Sequence, residues 1–521
     1  MIRKPFGLFK AIASTLAIIL VLLLAACSGN GSGDKPGTSD TGPNGNADEV
    51  KPANNDQEVT LKFYFGGEKP AATDEVWAKV SDYVKAKGLN VKFNINFIPW
   101  NDFSGRLLIM AASGDKWDLN FDTDTSFNQM AAKDSYMPLN ELLPKYAPHL
   151  NDKYKEQGTL ATATVNGKIV GLPWAMKMNQ RPYAGWRVDL AEKAGIVRKP
   201  DSVKTIEDID KLLHELKAAY PNAKISRTPP QALFIVRDEW VDLAFHGLGF
   251  YMDDPKHTVR AIEQQPFYVE SGNLAKKWFD DKILNRDAMI DSESGADQWR
   301  NGKTMFTLTS HEWAYANPGF SDPSFRQQMS WVYPDKRFVN RSQLANVLAI
   351  NRNSEHADRV LRFLDMLETD RELYDLVLYG IEGKTYVLNG ETVEYPGDMQ
   401  YMTSNYMEWG GQWAFWKSQF MRPTQTYSKN FWLEEAKFAS LPVNVDSPVE
   451  GLFITEDNIK AEVAKRDDTY EGYGKKIEFG NVDNVEQAVA VYIAKQRESG
   501  IDKVIADVQR QVDQYLANKK S

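Results

Sequence analysis

Tryptophan, acidic and arginine side chains recur where the chain is predicted to leave its strands and enter loops. An indole ring can lie flat against the apolar C–H face of a sugar, and carboxylate and guanidinium groups can form hydrogen bonds with the hydroxyl groups at its edge. This chemistry holds a ligand and does not by itself transform one. The candidate ligand-binding residues are Glu68, Trp100, Asp122, Asp124, Trp174, Arg181, Glu312, Trp313, Trp409, Trp413 and Arg422.

The tryptophans have a second interpretation, because a tryptophan at helical spacing more often packs in a core than against a ligand. Trp77 and Trp278 lie on predicted helix faces, and we expect both in the core. Trp413 and Trp416 are three residues apart, so core packing and ligand stacking both stay open for them. Trp409 and Trp413 flank two glycines, which would let the backbone between them bend.

The acidic residues after the third predicted strand could bind ligand hydroxyls or cap the next helix. Asp122 and Asp124 end an alternating acidic pattern that superficially resembles the start of a calcium-binding loop. Such a loop needs glycine at its sixth position and glutamate at its twelfth, where this chain has Thr123 and Gln129. We therefore predict no metal site, and we predict no cofactor.

Arg181 and Arg422 could bind the carboxylate of an acidic sugar such as a uronate. Surface ion pairing is the alternative for both. The sequence therefore leaves open whether the ligand is charged.

The common catalytic motifs are absent from the sequence. No Gly-x-Ser-x-Gly, His-Glu-x-x-His or Walker sequence occurs, and the six histidines are scattered. The 71 acidic residues do not exclude two carboxylates that meet in space, as in glycosidases. We predict that the protein is not an enzyme, and a lipid-anchored extracellular glycosidase or polysaccharide lyase is the alternative.

The composition is that of a globular protein, with 42% hydrophobic and 26% charged residues among 521. A nucleic-acid partner would need a basic face, which does not fit a formal charge of −9. The single cysteine excludes a disulfide within the chain.

The N-terminal segment is typical of a secretory signal. A basic start precedes an apolar run over residues 11–26, which is short for a bilayer span. Leu24-Ala25-Ala26-Cys27 resembles the bacterial lipobox, in which the cysteine carries lipid (palmitate among its acyl chains) after cleavage. Residues 28–57 contain six glycines, three prolines and no aromatic residue. We predict a lipoprotein signal peptide at 1–26, lipidation at Cys27, a disordered tether at 27–57, and localisation at the outer face of the bacterial cytoplasmic membrane.

Strand and helix patterns alternate after the tether, which predicts an α/β protein. Right-handed crossovers and a largely parallel sheet follow from this order. A second α/β region spans residues 185–301, so we expect two lobes with a ligand cleft between them. The first predicted strands are 59–65, 91–98 and 118–121, separated by helices at 74–87 and 101–114.

The order of several motifs resembles that in a known family, the extracellular solute-binding proteins of sugar ABC importers (family 1, maltose-binding-protein-like). The tail is similar to that of a lipoprotein subgroup with an extended C-terminal region. By this resemblance, Trp313 stacks on sugar. The motifs are Leu108–Asp115, Asn166–Pro173, Arg187–Ile196, Trp299–Phe306, Leu348–Asn353 and Tyr379–Tyr386.

The resemblance implies a two-lobed, type II periplasmic-binding-protein-like fold, in which each lobe is a mixed sheet flanked by helices. Three hinge crossings would lie near residues 173–182, 331–336 and 367–379. The implied segments are 58–175 and 334–370 for lobe 1, 176–333 for lobe 2, and 371–521 for the rest of lobe 2 with the C-terminal extension.

The resemblance also implies a function. A lipid-anchored extracellular substrate-binding protein would capture an oligosaccharide by hinge closure and deliver it to the permease subunits of an ABC importer. Such a protein would be a monomer. The identity and length of the oligosaccharide do not follow from the sequence.

Overall fold

The computed structural model describes residues 57–100, 102–174, 177–199, 201–290, 295–310, 324–340, 342–399, 404–425 and 431–520. The predicted signal peptide, Cys27 and nearly all of the tether lie outside these ranges. Within them, no helix has the length and apolar character needed to cross a membrane.

Strands and helices alternate along the chain, as the sequence predicts. The strands are β1 (Val59–Gly66), β2 (Val91–Ile98), β3 (Leu119–Asp122), β4 (Thr164–Val165), β5 (Lys168–Ile169), β6 (Leu172–Pro173), β7 (Pro182–Arg187), β8 (Trp240–Phe245), β9 (Leu248–Tyr251), β10 (Arg260–Ala261), β11 (Phe306–Ser310), β12 (Gln327–Trp331), β13 (Phe338–Val339), β14 (Val347–Ile350), β15 (Val387–Asn389), β16 (Thr392–Glu394) and β17 (Asn444–Val445). The helices are α1 (Thr73–Ala86), α2 (Phe103–Ser113), α3 (Asp124–Ala132), α4 (Leu142–Tyr146), α5 (Pro148–Gln157), α6 (Val188–Lys193), α7 (Ile206–Ala219), α8 (Gln231–Arg237), α9 (Pro266–Asp280), α10 (Gly295–Arg300), α11 (Ala357–Thr369), α12 (Arg371–Leu378), α13 (Gly411–Ala414), α14 (Phe431–Ala439), α15 (Lys460–Thr469), α16 (Lys475–Glu478), α17 (Val485–Glu498) and α18 (Ile501–Lys520).

The first lobe is built on a five-stranded sheet in the order β2-β1-β3-β14-β6. β1 is parallel to β2 and β3, which confirms the arrangement predicted for these strands. β14 runs antiparallel to β3 and β6, so the sheet is mixed. Alternation places Leu61, Phe63 and Phe65 of β1 in the core, where Trp77 of α1 meets Phe63 edge-on.

The second lobe contains two three-stranded antiparallel sheets, β11-β7-β12 and β10-β9-β8. Its helix α7 begins with a capping box. Thr205 Oγ1 accepts from the Asp208 amide at 3.3 Å, and Asp208 Oδ2 accepts from the Thr205 amide at 3.1 Å. Trp278 of α9 is fully buried, and Trp77 of α1 is 2% exposed, so the core positions predicted for both are confirmed.

Separate hydrophobic cores divide the chain between the lobes. The first core draws on residues 61–178 and 344–421, and the second on residues 184–332. The sequence prediction placed 371–421 in the second lobe, but Leu373 and Tyr374 of α12 are buried in the first core, and the segment is first-lobe structure. The amphipathic pattern of α12 indicates a buried face without specifying which core covers it.

The chain crosses between the two lobes in three segments, which we call the first, second and third passages. They meet at the buried side chain of Arg181, which has no exposed surface. One nitrogen of the guanidinium donates to Asn444 Oδ1 at 3.2 Å. The other donates to the carbonyl oxygens of Tyr333, at 3.0 Å, and Lys336. Burial lowers the pKa of Arg181 to about 10. Arg181 thus connects the first, second and third passages.

Asparagine side chains extend this arrangement. Asn179 Nδ2 donates to Asn340 Oδ1 at 3.0 Å, and Asn340 Nδ2 donates to Asp446 Oδ1 at 3.0 Å. We call Asn179, Arg181, Asn340, Asn444 and Asp446 the hinge junction. The third passage therefore lies between residues 421 and 449 and not at the predicted 367–379.

The C-terminal region packs on the second lobe. A third core joins residues 241–261 to residues 449–512. Next to it, buried Arg466 binds Glu263 through two nitrogen–oxygen contacts, Nη1–Oε1 at 2.6 Å and Nη2–Oε2 at 3.0 Å. Arg466 Nε also donates to the carbonyl of His246 at 2.8 Å. The extension is thus part of the second lobe and not an appended arm.

Replacing Arg466 with methionine leaves Glu263 buried without its cation. We expect Arg466→Met to lower the free energy of unfolding in urea by about 3–5 kcal/mol. The double variant with Glu263→Met should recover most of this loss. Lys495→Met removes an exposed ion pair in the same region and should change stability by less than about 1 kcal/mol. Equal effects of Arg466→Met and Lys495→Met on the free energy of unfolding would contradict the structural role of the buried pair.

Candidate functional site

An open cavity of about 350 Å³ lies at one edge of the first-lobe sheet. β1 and β3 end at this edge, and β14, which is antiparallel to β3, begins there. The carboxyl edge of parallel strands is where α/β proteins usually bind ligands. The lining residues are Phe65, Gly66, Trp100, Phe121, Thr123, Ala345, Asn346, Trp409, Gly410, Trp413 and Ala414.

Five of the eleven residues that line the cavity are aromatic. We call Phe65, Trp100, Phe121, Trp409 and Trp413 the aromatic wall. Trp100, Trp409 and Trp413 are among the predicted ligand-binding residues. The two phenylalanines were missed, although each is the last apolar residue of a strand whose carboxyl end was predicted to face the cleft.

Trp100 is the most open part of the aromatic wall, with 55% of its surface exposed. Its ring centroid lies 5.3 Å from that of Phe103 and 6.0 Å from that of Phe121. The ring also covers Gly66, where an added Cβ would lie 2.3 Å from Trp100 Cζ3. Only glycine at position 66 lets the indole rest on the end of β1.

Trp413 is held from behind by Trp174. The two rings are stacked, with centroids 5.6 Å apart and an interplanar angle of 23°. Trp174 Nε1 donates to the Trp413 carbonyl at 2.7 Å. Trp174 itself is 4% exposed and does not line the cavity, so it supports the wall from the core.

Trp409 is mainly a core residue with an edge at the cavity. Its ring meets Phe65 edge-on at 5.0 Å, and its Nε1 donates to the Val377 carbonyl at 3.2 Å. Trp416 is buried against Trp174 at 4.5 Å, which identifies it as a core residue.

Polar groups in the cavity come from Thr123 and Asn346. Asn346 precedes β14 and is 5% exposed. Its Nδ2 has no hydrogen-bond partner among the described residues. Sequence analysis missed Asn346, because a single asparagine before a short strand gives no signal of a site.

Asp122 is sealed beneath the cavity and has no exposed surface. Its Oδ1 accepts from the Thr123 amide at 2.8 Å and from Ser126 Oγ, and its Oδ2 accepts from Tyr136 Oη. Burial raises the pKa of Tyr136 well above its usual value, and the Asp122 charge adds to the effect. These contacts occupy both carboxylate oxygens within the first lobe, and Asp122 is not among the residues that line the cavity.

Three further candidates lie away from the cavity lining. Arg422 binds Asp375, with Nη2 to Oδ2 at 2.7 Å, and Glu391, with Nη1 to Oε2 at 3.0 Å. The hydrogen bond from Arg422 to Asp375 is the main cause of the raised pKa of Arg422. Arg181 belongs to the hinge junction, and Glu68 is an exposed residue in the loop after β1.

Glu312 and Trp313 lie outside the described residues. Asp124 begins α3, but its side chain is also outside the described part of the chain. The structure therefore describes the first-lobe half of the predicted site.

A family model described as bacterial extracellular solute-binding protein matches residues 78–374, more than half of the chain. A domain of unknown function matches residues 448–517. A carbohydrate ABC transporter substrate-binding protein of Streptococcus pneumoniae serotype 4 is 25% identical, over 98% of this chain and 99% of that protein.

Solved structures with the same fold include the N-glycan transport solute binding protein NgtS from Streptococcus pneumoniae. It has a TM-score of 0.72 and 22% identity, covering 88% of this chain and 99% of NgtS. NgtS in complex with Man5GlcNAc has a TM-score of 0.63 and 22% identity, covering 89% and 99% of the two chains.

The contacts of Asp122 predict that it stabilises the floor of the cavity. Asp122→Asn replaces one acceptor oxygen by a donor nitrogen, so one of its three donors loses its partner. We expect the free energy of unfolding in urea to fall by about 1–3 kcal/mol. Asp115→Asn changes an exposed acid that precedes β3, the strand that ends at Asp122. It should change the free energy of unfolding by less than about 0.5 kcal/mol. An Asp122→Asn variant as stable as the unmodified protein would contradict this assignment.

Proposed function

Because the chain belongs to the family of bacterial extracellular solute-binding proteins, we propose that it captures an oligosaccharide outside the cell and delivers it to the permease of an ABC importer. Its relatives support the ligand class, since one is named a carbohydrate ABC transporter substrate-binding protein and a structural neighbour was solved with Man5GlcNAc.

The observation that carries this proposal is the aromatic wall. Its exposed indole, Trp100, and the supported indole of Trp413 offer flat apolar surfaces to the C–H faces of sugar rings. Asn346 adds a hydrogen-bond donor for a ligand oxygen. More than one ring at the cavity suits an oligosaccharide better than a monosaccharide.

We propose that ligand binding closes the lobes about the hinge junction. A ligand that contacts both lobes favours the closed state by its additional contacts there. In this proposal the predicted residues Glu312, Trp313 and Asp124 also bind the oligosaccharide. The closed protein then docks on the permease as a monomer.

A panel of oligosaccharides tests the ligand class. Thermal unfolding of the purified protein would be measured with Man1GlcNAc, Man5GlcNAc and plant oligosaccharides, because an occupied site raises the apparent melting temperature by mass action. Confirmed hits would be titrated by calorimetry. Failure of every oligosaccharide to bind saturably would overturn the proposal.

The same incubations separate binding from catalysis. A glycosidase or lyase would create new reducing ends during incubation with the bound oligosaccharide. We expect binding heat without new ends. Turnover that is lost on replacing one carboxylate would establish the enzyme instead.

We also propose that Cys27 carries a lipid anchor. The motif Leu24-Ala25-Ala26-Cys27 supports this, and so does the absence of any other cysteine in the sequence. Two acyl chains are enough for stable membrane attachment. Cys27→Ala should release the protein from the membrane fraction, whereas retention of that variant would contradict the anchor.

Trp100 gives the cleanest test of the aromatic wall, because its exposed ring contributes little to the core. We expect Trp100→Ala to weaken binding of the identified oligosaccharide at least about tenfold, or 1.4 kcal/mol, by calorimetry. Ile290→Ala, at a side chain that is 87% exposed, is the control and should leave affinity unchanged. Unchanged affinity in Trp100→Ala would exclude stacking on this ring.

A further inference from the structure

The C-terminal region matched by the domain of unknown function begins at residue 448, two residues after Asp446 of the hinge junction. Most of this region packs on the second lobe, where Val449 joins the third core. Its first residues, however, contact the first lobe near the cavity. This contact is the basis of the inference.

Glu450 makes the contact through one oxygen atom. Its Oε1 accepts from Ser342 Oγ at 3.1 Å and from the Gln343 amide at 3.1 Å. Both donors belong to the start of a short 3-10 turn, Gln343–Ala345, and Ser342 Oγ caps that turn by accepting from the Leu344 amide at 3.3 Å. Glu450 therefore fixes the turn at its first residue.

The far end of the turn forms part of the cavity. Ala345 closes the turn, Asn346 follows it, and both residues line the site. Leu344, which lies between Ser342 and these two residues in the sequence, is buried in the first core. Ser342 and the cavity residue Asn346 thus lie four residues apart, at the two ends of one short segment.

The backbone around Glu450 is held from two sides. Tyr515 Oη of α18 donates to the Glu450 carbonyl. Gly451 has a φ of +84°, and an added Cβ there would lie 3.2 Å from Tyr515 Oη and 3.4 Å from Thr162 Cα of the first lobe. The positive φ favours glycine at this position, and a Cβ there would lie close to both α18 and the first lobe.

We propose that Glu450 is a positioning residue through which the C-terminal region sets the cavity wall at Ala345 and Asn346. Through this contact the domain of unknown function acts on ligand binding. The positioning contact is independent of the ligand's identity. Its consequence for affinity rests on the proposed function.

Hydrogen exchange tests the positioning contact without any ligand. Glu450→Ala removes the acceptor of two hydrogen bonds, so amides in residues 342–350 should exchange at least about tenfold faster in the otherwise folded protein. Glu450→Gln retains a side-chain oxygen for the same donors and should remain within about threefold of the unmodified protein. Glu471→Ala, at an exposed ion pair of the same region, should leave these amides unchanged.

Unchanged exchange over residues 342–350 in Glu450→Ala would overturn the proposal. So would acceleration spread evenly over the whole chain, because that result indicates global destabilisation only. Equal acceleration in Glu450→Gln would overturn the role of the acceptor oxygen.

Affinity for the oligosaccharide identified by the panel is the second readout. At a temperature where all variants are folded, Glu450→Ala should bind at least about fivefold more weakly, and Glu450→Gln should restore most of the affinity. Ser342→Ala removes the bond to Glu450 and also the cap on the Leu344 amide, so combined with Glu450→Ala its effect on affinity should be smaller than the sum of the two single effects, because the shared contact is lost only once. If no oligosaccharide binds, the proposed function fails, while the exchange result still decides the positioning role.

Discussion

A buried guanidinium group holds the two lobes of this protein together. Arg181 belongs to the first passage between the lobes. Its guanidinium donates to the carbonyls of Tyr333 and Lys336 in the second passage and to the Asn444 side chain in the third passage. A buried arginine loses its hydration and requires these partners in compensation. Any rotation of one lobe against the other must therefore preserve or exchange these bonds.

The cavity lies only a few residues along the chain from that junction. Asn340 of the junction precedes Asn346 of the cavity by six positions, and Trp174, which supports the aromatic wall, precedes Arg181 by seven. Glu450 adds a connection from the C-terminal region to the same segment. Hinge, cavity and extension thus share short stretches of backbone, which is a physical route for coupling closure to occupancy.

The sequence predicted what depends on local pattern and missed what depends on distant partners. Residues that favour strands identified β1, period-two alternation identified β2, and the loop after β2 led to Trp100. Arg181 was misassigned as a ligand contact because its partner Asn444 lies 263 residues away. Asp122 has partners only 4 and 14 residues away, Ser126 and Tyr136, but the sequence does not show that these side chains are buried together and occupy its carboxylate. The third lobe crossing was placed too early because the apolar face of α12 does not reveal which core it joins.

Small-angle X-ray scattering addresses the central claim, that the lobes close on an oligosaccharide. The radius of gyration of the protein would be measured alone and saturated with an oligosaccharide whose binding calorimetry has established. The account predicts a smaller radius of gyration in the saturated protein. An identical radius in both samples, with the site demonstrably full, would contradict it.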